Sequence, residues 1–449
     1  MSEPFTPIAN LLAAVAATPS AAGGMRMINE RAAEFPNRLA AQLTGIALDP
    51  AGRELAERFL DDYWSDGDRQ QNLLDAAGED REVIIGSGYH AAVYAATRVL
   101  AGHPRPLVLE RDQRVGGTFA MTAQPVFTLN SRNRPGGPGP AGDLGASLNF
   151  LPGAPIQAAS VSAAEYQTNS DMAFVIRLTL AQAADVVPAA TVTAVDVNGE
   201  GLELDLDGRY SVPARRVIDA RGLGDPEDQH LANGTTILTF PQFMHRMAGT
   251  WPLRGLRRVA VLGGGDAGKC AVESLLGIAP QPAMTAAALD RVDRVDWYAD
   301  RLPISCEQWR EDTRGRYLAI GAHLRPDRSG SRRLIVLPRR ATVADLPGLA
   351  LIEGRGYDLA VLCTGSKETL IPGLGGVADC GTYTVAGAGP VAQKYVDRPA
   401  FRIGPHAQLP FSEQEFIDGI AEQPGNAAAM FRLSGKTAAL AATLPPTRS

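Results

Sequence analysis

Residues 82–91, Glu-Val-Ile-Ile-Gly-Ser-Gly-Tyr-His-Ala, constrain the fold of this chain more than any other stretch. An apolar run, Val83 to Ile85, stops at Gly86; Gly88 follows one residue on, and an alanine-rich segment opens at Ala91. A buried parallel strand that turns tightly into a helix reads this way. Gly86 permits the turn, Gly88 lets a phosphate approach the backbone, and Ala91 lets the helix pack closely on the strand. The free N–H groups and the positive dipole end at such a helix start favour a pyrophosphate.

A lone G-x-G-x-x-A recurs by chance, so the residues downstream carry the weight. Pro106 to Glu110 reads as the next strand, ending in an acid at the spacing of a ribose-binding carboxylate. Taken alone, Glu110 reads as a solvated strand end. Arg114 to Phe119 follows, and its Gly116-Gly117-Thr118 supplies a second glycine pair for the same ligand. The three pieces in order predict a nucleotide site.

The pattern returns once, at Arg257 to Cys270, where Gly263, Gly265 and Gly268 complete a G-x-G-x-x-G after an apolar strand. The same string nearly fits a P-loop with Lys269 as its lysine. Cys270 stands where that motif needs a magnesium-binding hydroxyl, so an ATPase is the minor reading. Val292 to Tyr298 reads as the second strand of this unit. Arg301 beyond it suits a 2′-phosphate and hence NADPH, although Asp300 argues the other way. Arg216 to Gly222, Leu334 to Leu337 and Tyr357 to Gly365 read as further strands, the first and last ending at glycine. Strands are also expected over 190–197 and 201–206, and helices over 163–184 and 426–444.

Residues 1–80 carry apolar residues at helical intervals, notably Arg53 to Leu60 and Gln70 to Ala77, and no catalytic motif. They read as a helical extension packed on the main body or at a subunit interface. A formal charge of −6 disfavours a nucleic-acid partner. The four cysteines form no C-x-x-C pair, so neither a disulfide framework nor a metal site is expected. No apolar run has the length of a membrane span, and no basic residue precedes the apolar stretch 8–17, so the expected location is the cytoplasm.

Two nucleotide units in one acidic chain resemble the two-dinucleotide-domain flavoproteins, and within them the flavin-containing monooxygenases with their Baeyer–Villiger and amine N-hydroxylating relatives. The matching residues are Gly86, Gly88, Ala91, Glu110 and Gly116-Gly117-Thr118, then Gly263, Gly265 and Gly268, with Gly365 in a Cys-Thr-Gly turn. Phe240, His245 and Trp251-Pro252 partly match the F-x-G-x-x-x-H-x-x-x-(W/Y)-P signature; the middle glycine is absent and the spacing of His245 differs. The resemblance implies an α/β fold with two Rossmann-like domains. These would be an FAD domain, residues 81–225 and 356–449, and an inserted NAD(P)H domain, residues 226–355, behind the extension 1–80. It implies FAD on the first loop and NADPH on the second. It also implies a peroxyflavin that oxygenates a small amine or ketone with molecular oxygen. Asn130 would lie beside the flavin, with Arg132 and His245 as further catalytic candidates. A reductase or dehydrogenase without oxygen insertion, and a non-catalytic nucleotide-binding regulator, stay open, as does a homo-oligomer.

Overall fold

The computed structural model describes residues 50–132, 164–198, 201–222, 225–226, 235–247, 255–278, 292–299, 311–324, 333–348, 356–364, 366–367, 371–374 and 400–404, with 437–438, 440–441, 444 and 446–447 towards the C-terminus. Its helices are α1 Pro50–Ser65, α2 Gly67–Asp75, α3 Tyr89–Leu100, α4 Asn169–Ala183, α5 Phe240–His245, α6 Asp266–Leu276 and α7 Glu311–Ala322. The strands of the first half are β1 Glu82–Ile85, β2 Leu107–Leu109, β3 Thr128–Arg132, β4 Tyr166–Thr168, β5 Asp185–Val187, β6 Val192–Asn198, β7 Gly201–Leu206, β8 Tyr210–Ala214 and β9 Arg216–Asp219. Those of the second half are β10 Asp225–Pro226, β11 Thr236–Thr239, β12 Arg258–Leu262, β13 Arg294–Tyr298, β14 Leu334–Leu337, β15 Leu359–Leu362, β16 Ser366–Lys367 and β17 Ala400–Arg402.

Two five-stranded sheets organise the molecule, ordered β17-β9-β1-β2-β5 and β11-β15-β12-β13-β14. Every pairing in both is parallel. Parallel sheets are covered on both faces, which is why their strands are continuous apolar runs. All residues of β1, β12 and β15 are buried. The chain is thus α/β with two Rossmann-like units, preceded by helices. The antiparallel meander β6-β7-β8 leads from β5 to β9, and β3 pairs with β4 outside both main sheets.

All strands of the second sheet fall between β9 and β17 of the first. β15 pairs between β11 and β12 in the second sheet, where its buried backbone N–H and C=O groups find partners on both edges. The helix expected over 163–184 starts at Asn169. Tyr166 is taken into a strand opposite Arg132, and Thr168 caps the helix by a reciprocal box with Asp171.

α1 and α2 bear out the expected N-terminal helices. Ala56, Leu60 and Trp64 of α1 are buried in the same core as α4, which is covered on nearly every side. Most of the helix expected over 426–444 lies outside the described residues. Among the described residues no helix is long and apolar enough to cross a membrane.

Candidate functional site

The first glycine loop leaves β1 at Gly86, whose φ of +94° is open to glycine and strained for other residues. Its N–H donates to Leu109 O at 2.8 Å, tying the turn to β2. Gly88 caps α3 in extended conformation, and the sole atom within 4 Å of a Cβ built there is Gly117 Cα. Gly117, at φ +61°, faces it so closely that a Cβ on Gly117 would stand 2.8 Å from Gly88 Cα. The two glycine pairs therefore form opposite lips of a backbone-lined cradle, and Ala91 is fully buried behind it. Thr118 is exposed on the 3-10 turn that follows.

One side chain ties these lips together. Ser87 donates to Glu110 Oε2 through its backbone N–H at 2.8 Å and its hydroxyl at 2.5 Å, while the same hydroxyl accepts from Gly116 N–H at 2.9 Å. Asp112 N–H donates to Glu110 Oε1 at 2.9 Å. Burial pushes the Glu110 carboxyl above its ordinary range, opposed by these hydrogen bonds from Asp112 and Ser87. Glu110 is not the solvated strand end that it resembles in isolation. Ser87 escapes sequence reasoning because the middle position of G-x-G accepts any residue; a hydroxyl there, 23 positions before a strand-end acid, is the signal in retrospect.

The second loop repeats the turn with other neighbours. Gly263 has φ +121°, and a Cβ on it would lie 2.2 Å from Cys363 O. Gly265 caps α6 in extended conformation with nothing within 4 Å of its Cβ position. Gly268 is the packing glycine: its Cβ would stand 2.0 Å from Gly263 O, an oxygen that also accepts from Trp297 Nε1 at 2.8 Å. Lys269 does not reach towards a phosphate. It is fully buried on α6, 3.2 Å from Glu273, which sets the P-loop reading aside. Arg301 and Gly365 lie outside the described residues.

Between the loops runs β3, which carries Asn130 and Arg132. The backbone of both is in the strand; their side chains lie outside the described residues. The strand is gripped from both units. Asn169 on α4 accepts from Val126 and Phe127 N–H at 2.8 and 3.2 Å and donates to Phe119 O at 3.1 Å, fixing the approach to β3. From the second unit, Arg316 on α7 donates to Leu129 O at 2.6 Å, while its other guanidinium nitrogens bind Glu273 at 2.8 and 2.5 Å. Cys270 contributes a thiol 3.8 Å from Thr128 O, which accounts for a cysteine at that position. Phe127 sits between Phe119 of the first unit and Phe240 of α5, with ring centroids 6.5 and 5.8 Å away. His245 is exposed in the last turn of α5. Trp251 lies outside the described residues.

The residues present fit two dinucleotides. Each loop offers a helix N-terminus without a side-chain cap and an unobstructed second glycine. Cys270 is buried and Cys363 half-buried; loss of solvent pushes both thiols up, Cys270 to about 11, so neither is poised as a thiolate. Among the described residues no group of three or more His, Cys, Asp or Glu is placed to hold a metal.

No family model matches the sequence, and no curated protein does. Among solved structures the chain is similar to a flavin-containing monooxygenase from Stenotrophomonas maltophilia, at 17% identity and TM-score 0.47, over 81% of this chain and 96% of that one. It is also similar to an ornithine N-hydroxylase from Kutzneria sp. 744, at 13% identity and TM-score 0.47, over 80% and 97%. A thioredoxin reductase from Lactococcus lactis follows at 12% identity and TM-score 0.45, over 81% and 97%. At these scores the fold assignment rests on the chain's own sheet order and glycine loops.

Proposed function

We propose that this chain is an FAD-dependent oxidoreductase that draws hydride from NADPH and oxygenates a small organic molecule of the amine or ketone class with molecular oxygen. One observation carries the reading. Two strand–glycine–helix units, each with an open second glycine, both contact β3: β4, which leads into α4, pairs with it, and Arg316 of the second unit donates to Leu129 O.

The first loop would bind FAD, with its pyrophosphate over the N-terminus of α3 beside Gly88 and Gly117 and the carboxylate of Glu110 towards the ribose. Bound there, the flavin supplies hydride acceptance and reactivity with oxygen. The protein's own part is positioning. Ser87 and Glu110 set the spacing of the two lips, α3 presents unpaired N–H groups, and Ala91 lets α3 approach β1. The second loop would bind NADPH at Gly263, Gly265 and Gly268, with Arg301 at the 2′-phosphate. Asn130, on the strand held by Asn169 and Arg316, would donate a hydrogen bond at the reacting edge. Phe119, Phe127 and Phe240 keep that side apolar and so limit water.

A disulfide-exchanging reductase is disfavoured by the two described thiols, both buried or half-buried and raised in pKa. The test begins with the visible spectrum of the purified protein, then anaerobic reduction by NADPH, then oxygen uptake with amine and ketone panels. Asn130→Ala should retain FAD and its reduction while releasing hydrogen peroxide in place of product, at a cost of roughly 10²-fold in oxygenation rate. Turnover that proceeds equally well without oxygen, given another acceptor, makes the protein a dehydrogenase. Flavin that binds but is never reduced by NADPH or NADH leaves the regulatory reading.

A further inference from the structure

Outside the two loops, a cluster of charges lies where α1 meets α4. Arg114 belongs to the loop that delivers Gly116 and Gly117. Arg177 of α4 lies directly beneath that loop, its Cγ 3.6 Å from where a Cβ on Gly116 would stand. Glu57 of α1 pairs with both guanidinium groups, with Arg177 and, at 3.3 Å, with Arg114. Asp61, one turn on, again pairs with Arg177 and lies 3.6 Å from Arg114. Among the described residues, every ion pair of these two arginines is made with α1. Arg53, one turn earlier, pairs with Asp171 in the first turn of α4.

Helical spacing explains the arrangement. Arg53, Glu57 and Asp61 form one stripe at i, i+4, beside the apolar stripe Ala56, Leu60 and Trp64, so a single face carries both. The Trp64 ring lies 5.3 Å from the Arg177 guanidinium carbon. Burial lowers Arg177 to about 10, which leaves it charged at neutral pH and dependent on those carboxylates. α1 therefore stands against the wall behind the first glycine cradle.

We propose that α1 is an intramolecular brace for the flavin loop: Glu57 and Asp61 are positioning residues that hold Arg114 and Arg177, and through them Gly116 and Gly117, in the geometry that FAD binding requires. The inference rests on the flavin reading above and assigns a task to part of the region before residue 80.

The test uses the full chain with Glu57→Gln and Asp61→Asn combined. FAD affinity is read from flavin fluorescence on titrating apoprotein well below its melting temperature. The brace predicts affinity at least about tenfold weaker, the scale of losing charge-assisted contacts, with unchanged far-ultraviolet circular dichroism. Arg114→Gln should weaken FAD similarly and add little to Glu57→Gln, because both remove the same link. Glu54→Gln, on the exposed face of the same helix, should bind FAD like the wild type. Wild-type affinity in the double variant, or fully additive losses with Arg114→Gln, overturns the brace and leaves the flavin reading intact. A wild-type protein that takes up no FAD sinks that reading instead. Amide exchange over residues 112–121 of the apoprotein then still decides whether α1 braces the loop: faster exchange in the double variant supports it, and unchanged exchange refutes it.

Discussion

The two glycine loops share one local design and differ in what surrounds it. In both, the first glycine has positive φ and donates its N–H to the carbonyl at the neighbouring strand's end, Leu109 O or Tyr298 O, and the second caps a helix with open space at its Cβ position. The first loop is also cross-tied. Ser87, Glu110 and the facing Gly116-Gly117 make it two-sided, and α1 and α4 back it. No described side chain ties the second loop to another loop in this way; its side-chain contact is Trp297 on Gly263 O, which packs helix against strand. A two-sided cradle suits a resident cofactor, and a one-sided ledge suits a dinucleotide that must come and go.

The largest expected effect breaks this comparison at matched positions. Gly88→Val fills the open space at the start of α3 that a pyrophosphate needs, and should weaken FAD by about 3 kcal/mol or more, roughly a hundredfold. Gly265→Val should leave FAD and the fold intact and abolish reduction by NADPH. Equilibrium dialysis and anaerobic reduction read the two; equal loss of FAD in both variants would falsify the division of labour. Gly268→Ala, although smaller, should unfold the second unit, since its Cβ meets a carbonyl oxygen at 2.0 Å.

Next comes the tie between the second unit and β3. Arg316→Ala leaves Glu273 paired with Lys269 alone and frees Leu129 O, and a buried group stripped of its donor in this way costs about 1–3 kcal/mol. Urea unfolding measures it. Arg316→Lys, which keeps the charge and loses the fork, should recover part of the stability. If Arg316→Ala unfolds at the wild-type urea midpoint, β3 is not held from that side.

Ser87→Ala sharpens the contrast more gently. It removes one hydroxyl from the Glu110–Gly116 tie, worth about 1–2 kcal/mol, and should weaken FAD roughly tenfold without touching NADPH affinity. Titration calorimetry separates the two ligands.

The remaining contrast is a pH dependence, felt only as the solution is acidified. His90 in α3 is fully buried, no hydrogen bond reaches either ring nitrogen, and burial lowers its pKa to about 3. The unfolded chain takes up a proton as pH falls through about 6.5 while the folded chain does not, so stability is lost progressively between pH 6.5 and about 3. His90→Gln should flatten that limb by one proton, as read from urea midpoints at pH 7 and pH 5. An identical slope in the variant assigns the acid sensitivity elsewhere.

The order of the two loops and the task of each glycine were legible from residues alone, because a tight strand-to-helix turn is a local object. Gly86 and Gly263 needed positive φ, Gly88 and Gly265 an open approach, Ala91 and Gly268 close packing, and all of this lies within about ten residues. Glu110 was readable as an acid at a strand end, 24 positions after Gly86, but its bonds to Ser87 and Asp112 were not. Tertiary structure decided the rest. It placed β15 in the second sheet, turned Lys269 towards Glu273, set Arg316 against Leu129, 187 positions earlier, and laid Glu57 across Arg114 and Arg177. Periodicity and turn chemistry record which face of an element is apolar. They hold no record of which buried charge will meet which, because that choice is made when two faces dock and each desolvated group must find its partner.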